Sequence, residues 1–147
     1  MARFCAGVKT SAGSTLKPII SLFPSATNQA HVYEVGVFNT TTTPFDIYLA
    51  RITAGGTVGA GLAETPLGNP AMVAGCMAFT THTGGTPTFV DLGFRASIGA
   101  AIGAGVIWTF GEEGIELPAT AGTTNGIGVV VENGTGQVAQ AYIGWKE

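Results

Sequence analysis

His31-Val32-Tyr33-Glu34-Val35-Gly36-Val37-Phe38-Asn39-Thr40-Thr41-Thr42-Thr43-Pro44-Phe45-Asp46-Ile47-Tyr48-Leu49-Ala50-Arg51-Ile52 contains two arms that alternate with period two. Side chains along a strand point to opposite faces in turn. Tyr33, Val35 and Val37 therefore share one face of the first arm, and Phe45, Ile47 and Leu49 one face of the second. Asn39 and Pro44 bracket the turn between them, the first tolerant of left-handed backbone and the second fixing φ. The stretch reads as a β-hairpin with a long loop. Val32 and Phe38, with Tyr48 and Ile52, then point away from the core face, although they are apolar as well. A sheet with one wet face alternates more cleanly. Either a loop of the same chain or a second subunit must cover these four, and they form the candidate subunit interface.

Outward from this unit the same grammar repeats. Twenty-three glycines interrupt every candidate helix within a few turns, and abundant Thr, Val, Ile, Phe and Tyr favour strands. Further strands are expected at about 2–9, 15–23, 71–79, 88–95, 105–110, 126–132 and 137–146. The breaks are turn-rich: Gly55-Gly56, Gly68-Asn69-Pro70, Gly84-Gly85-Thr86-Pro87, Glu112-Glu113-Gly114 and Asn133-Gly134. The last is a tight-turn signal expected to join two apolar strands. Residues 53–70 show little periodicity and read as a long exposed loop. The predicted fold is all-β: one domain over residues 1–147, a jelly-roll-like antiparallel sandwich of about eight strands.

Charge is scarce. Six Lys or Arg and nine Asp or Glu make 10% of the chain, against roughly 25% in a typical soluble domain. A chain of this size exposes roughly 7,000 Å², so charges are thinly spread over it. Such a surface tends to associate, which favours a subunit over a loop as the cover for the hairpin. The net charge of −3 and the scattered basic residues argue against nucleic acid as a partner. The opening Met1-Ala2-Arg3-Phe4-Cys5 lacks the apolar core of a signal peptide, and the apolar run from Ile98 to Phe110 is too short to span a bilayer. A cytosolic, non-exported protein with no membrane partner is expected.

No catalytic constellation stands out. Cys76 and His82 lie six residues apart, a spacing that guarantees no contact, and no oxyanion-hole motif accompanies them. Glu112, Glu113 and Glu116 form the one acidic cluster, without the spacing of a calcium loop, and read as a solvated turn. The stretch from Gly103 to Trp108 lacks the third glycine of a dinucleotide fingerprint, and Gly55 to Gly61 carries no Gly-Lys-Ser/Thr. Cys5 and Cys76 read as free thiols behaving as small hydrophobes. Neither an enzyme activity nor a cofactor nor a metal is expected.

Four segments carry a resemblance: Val32-Tyr33-Glu34-Val35-Gly36-Val37-Phe38-Asn39-Thr40-Thr41, Phe79-Thr80-Thr81-His82-Thr83-Gly84, the run from Gly99 to Gly111, and Ala141-Tyr142-Ile143-Gly144-Trp145. Together they are similar to the jelly-roll decoration or cement proteins of tailed bacteriophage capsids. The resemblance implies a homotrimer seated on the capsid exterior and bound to the major capsid protein, made in the host cytoplasm and without catalysis. The alternative is a receptor- or carbohydrate-binding β-module of a phage tail, neck or fibre. Such a module would expose a shallow site of aromatic beside polar residues, drawn from Trp108, Trp145, Tyr33, Tyr48 and Tyr142.

Overall fold

Eight long strands carry the architecture: β1 (Arg3–Lys9), β2 (Pro18–Phe23), β3 (Ala30–Asn39), β4 (Phe45–Ala54), β7 (Thr88–Ile98), β8 (Gly105–Thr109), β10 (Gly126–Asn133) and β11 (Ala139–Lys146). Three short ones decorate it: β5 (Thr65–Pro66), β6 (Met77–Thr80) and β9 (Ile115–Leu117). The computed structural model describes residues 1–133 and 137–147, and among these there is no helix. One sheet, A, has the order β5-β1-β11-β3-β8 with β9 also on β3; the other, B, has the order β6-β2-β10-β4-β7. All pairings are antiparallel. Successive long strands alternate between the sheets, except that β4 and β7 both lie in sheet B. That wrapping is the jelly-roll path, which matches the predicted class.

The wrapping corrects the hairpin. β3 pairs with β11, β8 and β9, whereas β4 pairs with β10 and β7. The two arms face each other across the core instead of sharing a ladder. Alternation specifies which face of a strand is buried, and two strands can satisfy it equally well side by side or face to face. The crossing is held by Asn39, whose Nδ2 donates to the carbonyls of Thr43 (2.8 Å) and Gly99 (2.9 Å) while its Oδ1 accepts from the Thr41 N–H (2.9 Å). β10 and β11 likewise stand in opposite sheets, so no two-stranded hairpin joins them. Gly134 of the expected tight turn lies outside the described residues.

A second correction concerns faces. Along β3 and β11, Glu34 pairs with Gly144 but Val32 pairs with Trp145, leaving Tyr33 as an extra residue. One extra residue reverses the alternation beyond it. Val32 therefore enters the core with no exposed surface, beside Val35 and Val37, and Tyr33 turns outward. The core lies between the sheets and includes Ile20, Leu22, Ile47, Leu49, Val129 and Ile143. Each such fully buried side chain contributes about 1.5–3 kcal/mol relative to exposure. Phe4 and Trp145 stack within it at 5.8 Å.

Two further differences are local. The expected strand at 71–79 shrinks to Met77–Thr80, because the 69–75 stretch turns instead of pairing. The expected loop at 53–70 is more ordered than its composition indicates: β5 pairs with β1, and Leu62 and Thr80 exchange hydrogen bonds with Ala78 and Ala60 across the edge of β6 (2.8 and 3.0 Å).

Candidate assembly surfaces

The four residues expected to face a partner are dispersed. Val32 is in the core. Ile52 points to the outer face of sheet B, with its Cδ1 close against Gly128, yet it too has no exposed surface in the single chain. Tyr48 lies on that same face, 8% exposed, in a small cluster with Ala50 and Val130 on which Phe89 packs. The Arg95 guanidinium covers the Tyr48 ring at 5.2 Å and is itself held by Asp91 and Glu132. Intrachain cover thus replaces the expected subunit over Tyr48 and Ile52. Phe38 lies on the outer face of sheet A, half-buried, with its ring against Gly105.

The candidate chemistry does not converge. The Cys76 thiol donates to the Asn28 carbonyl at 3.8 Å, and burial followed by the Glu147 carboxylate pushes it well above the ordinary thiol range. A thiol held protonated is a poor nucleophile. His82 is committed elsewhere: its Nδ1 donates to the Gly55 carbonyl (2.8 Å) and its Nε2 faces Ser21 Oγ (2.8 Å). The backbone carbonyls of Glu112, Glu113 and Glu116 accept from Lys146, His31 and Arg51, while no group of three or more potential metal ligands gathers among the described residues. Cys5 and Cys76 are both free, Cys5 half-buried on the outer face of sheet A and Cys76 fully buried.

Exposed apolar groups collect at the two margins of the sandwich. At one margin, β7 and β8 are the last strands of their sheets. Val90 is 56% exposed, Phe94 40%, Ile107 50% and Ile102 74%. Phe94 meets Phe110 edge-on at 5.1 Å, bridging the rims of the two sheets. β7 is blunted as an edge: Gly93, at φ +83, sits where its register to β4 shifts, between the charged Asp91 and Arg95. Bulges and charges of this kind discourage strand addition. β8 has neither device. Its register to β3 is unbroken, and the whole run from Ile98 to Gly111 contains no charged residue. At the opposite margin, Met1, Leu67, Met72, Val73 and Met77 are exposed, and Met1, Pro66, Leu67 and Met72 help line a cleft of about 470 Å³.

The outer face of sheet A presents flat aromatic surface. Tyr33 lies against Gly144 and Tyr142 against Gly36, positions where any Cβ would strike the ring. Tyr142 Oη donates to Glu34 (2.7 Å), and Arg3 stands over the Tyr33 ring at 5.9 Å. Burial, then that bond to Glu34, raises the Tyr142 hydroxyl above its usual range. A shallow cleft of about 270 Å³ beside them is lined by Arg3, Tyr33, Glu34, Thr109 and Lys146 among others. Trp145, by contrast, is fully buried and Trp108 packs partly onto the core. These pairings escape sequence reading because each ring and its glycine come from different strands. Comparison of the chain with protein-family models, curated proteins and solved structures gives no match.

Proposed function

We propose that the chain is a structural assembly protein: it associates into a homotrimer and seats on a repeating protein shell as a capsid decoration or cement protein. The observation that carries this reading is the open edge at β8: the run from Ile98 to Gly111 is charge-free, Ile107 on β8 and Ile102 in the turn before it are exposed, and Phe94 and Val90 are exposed on the neighbouring rim strand β7. An unprotected apolar edge is a pairing site. The mechanism is mechanical. A specific interface buries about 1,200–2,000 Å², and association costs remove much of the gross gain. Repetition on a lattice converts weak single contacts into a firm hold. The resemblance to decoration proteins supplies the shell as the target.

Light scattering of the purified chain tests the first half, with three times the monomer mass expected. Ile107→Lys, which places a charge on the edge, should return the monomer mass with the fold intact. Locating the protein in purified particles and counting its copies tests the second half; a copy number in fixed ratio to the major capsid protein is expected.

The cleft beside Tyr33, with Arg3, Glu34, Thr109 and Lys146 around an aromatic ring, supports a second reading as a carbohydrate-binding module. Retention on a glycan array that is lost in Tyr33→Ala would favour it over the shell.

A further inference from the structure

The connection from β4 to β7 folds back on itself. Thr57 N–H donates to the Gly84 carbonyl (3.0 Å) and Thr83 N–H to the Thr57 carbonyl (3.1 Å), so the outgoing leg at 57–62 runs beside the returning leg at 78–84. His82 sits on the returning leg and is 1% exposed. Its backbone N–H donates to the Pro18 carbonyl (2.9 Å) at the start of β2. A carbonyl can only accept, so the bond to Gly55 places the ring proton on Nδ1, and Nε2 accepts from the Ser21 hydroxyl. The ring also stacks on Phe23 at 6.3 Å, and Phe79 meets Phe23 from another side at 5.9 Å. One neutral imidazole thus joins three pieces of chain: the end of β4 at Gly55, the returning leg, and β2. Beneath it lies Phe23, an apolar ring with no exposed surface.

We propose that His82 is a pH-sensitive latch: neutral, it pins the connection at Gly55 to β2; protonated, it lets the 55–62 leg go and bares Phe23. Protonation turns Nε2 into a donor. Ser21 must then rotate to accept, and its own proton loses the acceptor it had. The imidazolium meets no compensating charge on the elements packed around it. Residues 53–63 and 77–87 contain no other ionisable side chain, and the next one, Glu64, spends its carboxylate on the Ala78 N–H (3.1 Å) at the start of the returning leg. Beside β2 the adjoining charged group is Lys17, a cation whose Nζ is 3.5 Å from the Thr83 carbonyl. On β4, Arg51 donates to the Glu116 backbone carbonyl and the Asn125 side chain, and Asp46 lies at the opposite end of the strand from Gly55. On β10, Glu132 holds Arg95. Burial accordingly depresses the His82 pKa from its ordinary value.

Hydrogen exchange of the full chain, followed by mass spectrometry and corrected for intrinsic rates, tests the latch without reference to any assembly. Between about pH 7.5 and pH 5, amides at 55–62 and 80–84 are expected to lose protection by about tenfold or more, since each pH unit below a titrating pKa is a factor of ten. Amides of β3 and β11 should keep theirs. The loss should begin near the ordinary histidine pKa and level off where the His82 ring itself titrates in the folded chain, as followed by NMR. His31→Gln should leave the step in place, and His82→Gln should remove it. Should His82→Gln not fold, the levelling of the wild-type exchange loss at the pH of the ring titration decides. Unchanged protection across the window, or a step that follows His31, would overturn the latch.

Discussion

Leu16 holds left-handed backbone, at φ 60, in the turn that leads into β2. For a side chain with a Cβ this conformation costs roughly 1–2 kcal/mol, and Asn tolerates it best after Gly. Leu16 is also 57% exposed, so little packing is lost on replacing it. Leu16→Asn is expected to raise stability by about 1 kcal/mol in chemical denaturation, and Leu16→Gly by less, because glycine also loosens the unfolded chain. A second residue-scale test concerns direction. Val32→Glu and Ile52→Glu each bury an unpaired carboxylate and should cost the isolated chain several kcal/mol, read as a lowered denaturation midpoint. Phe38→Glu, on a half-buried outer face, should leave that midpoint nearly in place.

Among the elements, the connection between β4 and β7 has a pH dependence whose sign follows from burial. His82 has a folded pKa below its unfolded value, because burial opposes the charged ring. As pH falls, the unfolded chain therefore takes up the proton first. Stability is full above about pH 6.5 and declines as pH falls from there towards the folded pKa. Urea denaturation across this range should show that decline in the wild type and a flatter profile in His82→Gln. The edge strands differ in kind. β7 is protected by its bulge and its charges; β8 is not, so a contact at this margin should centre on β8 and pack the side chains of β7 around it.

At the scale of the whole molecule, fifteen formal charges are spread over 6426 Å², and the two ion pairs among the described residues both fall on Arg95. Both are exposed, and such pairs contribute little. The stability of the single sandwich should accordingly change by less than about 0.5 kcal/mol when sodium chloride is raised to about 0.5 M, as read from denaturation midpoints. Self-association through apolar surface should instead strengthen in sulfate, which is excluded from such surfaces. Light scattering across a sulfate series would show the mass rising in the wild type and not in Ile107→Lys.

The all-β class, the sandwich and most strand positions could be read from the chain alone, because alternation such as Val35, Val37 and then Phe45, Ile47, Leu49 is a local property of strands. Which strands pair could not. The long-range ladders that put β3 beside β11 and β4 beside β10 depend on how the whole chain wraps, and the two arms of residues 31–52 satisfy the same pattern across the core as they would in a hairpin. The face of Val32 was hidden for a similar reason. The extra residue at Tyr33 exists only in relation to β11, and it reverses the alternation that the sequence displays. Scarcity of charge by itself points to no particular place on the surface. Only the tertiary structure decides these positions: Ile52 is buried within its own chain, while Ile102 and Ile107 are exposed at the β8 margin. It also brought Ser21, Gly55 and His82, far apart in sequence, into one hydrogen-bonded set.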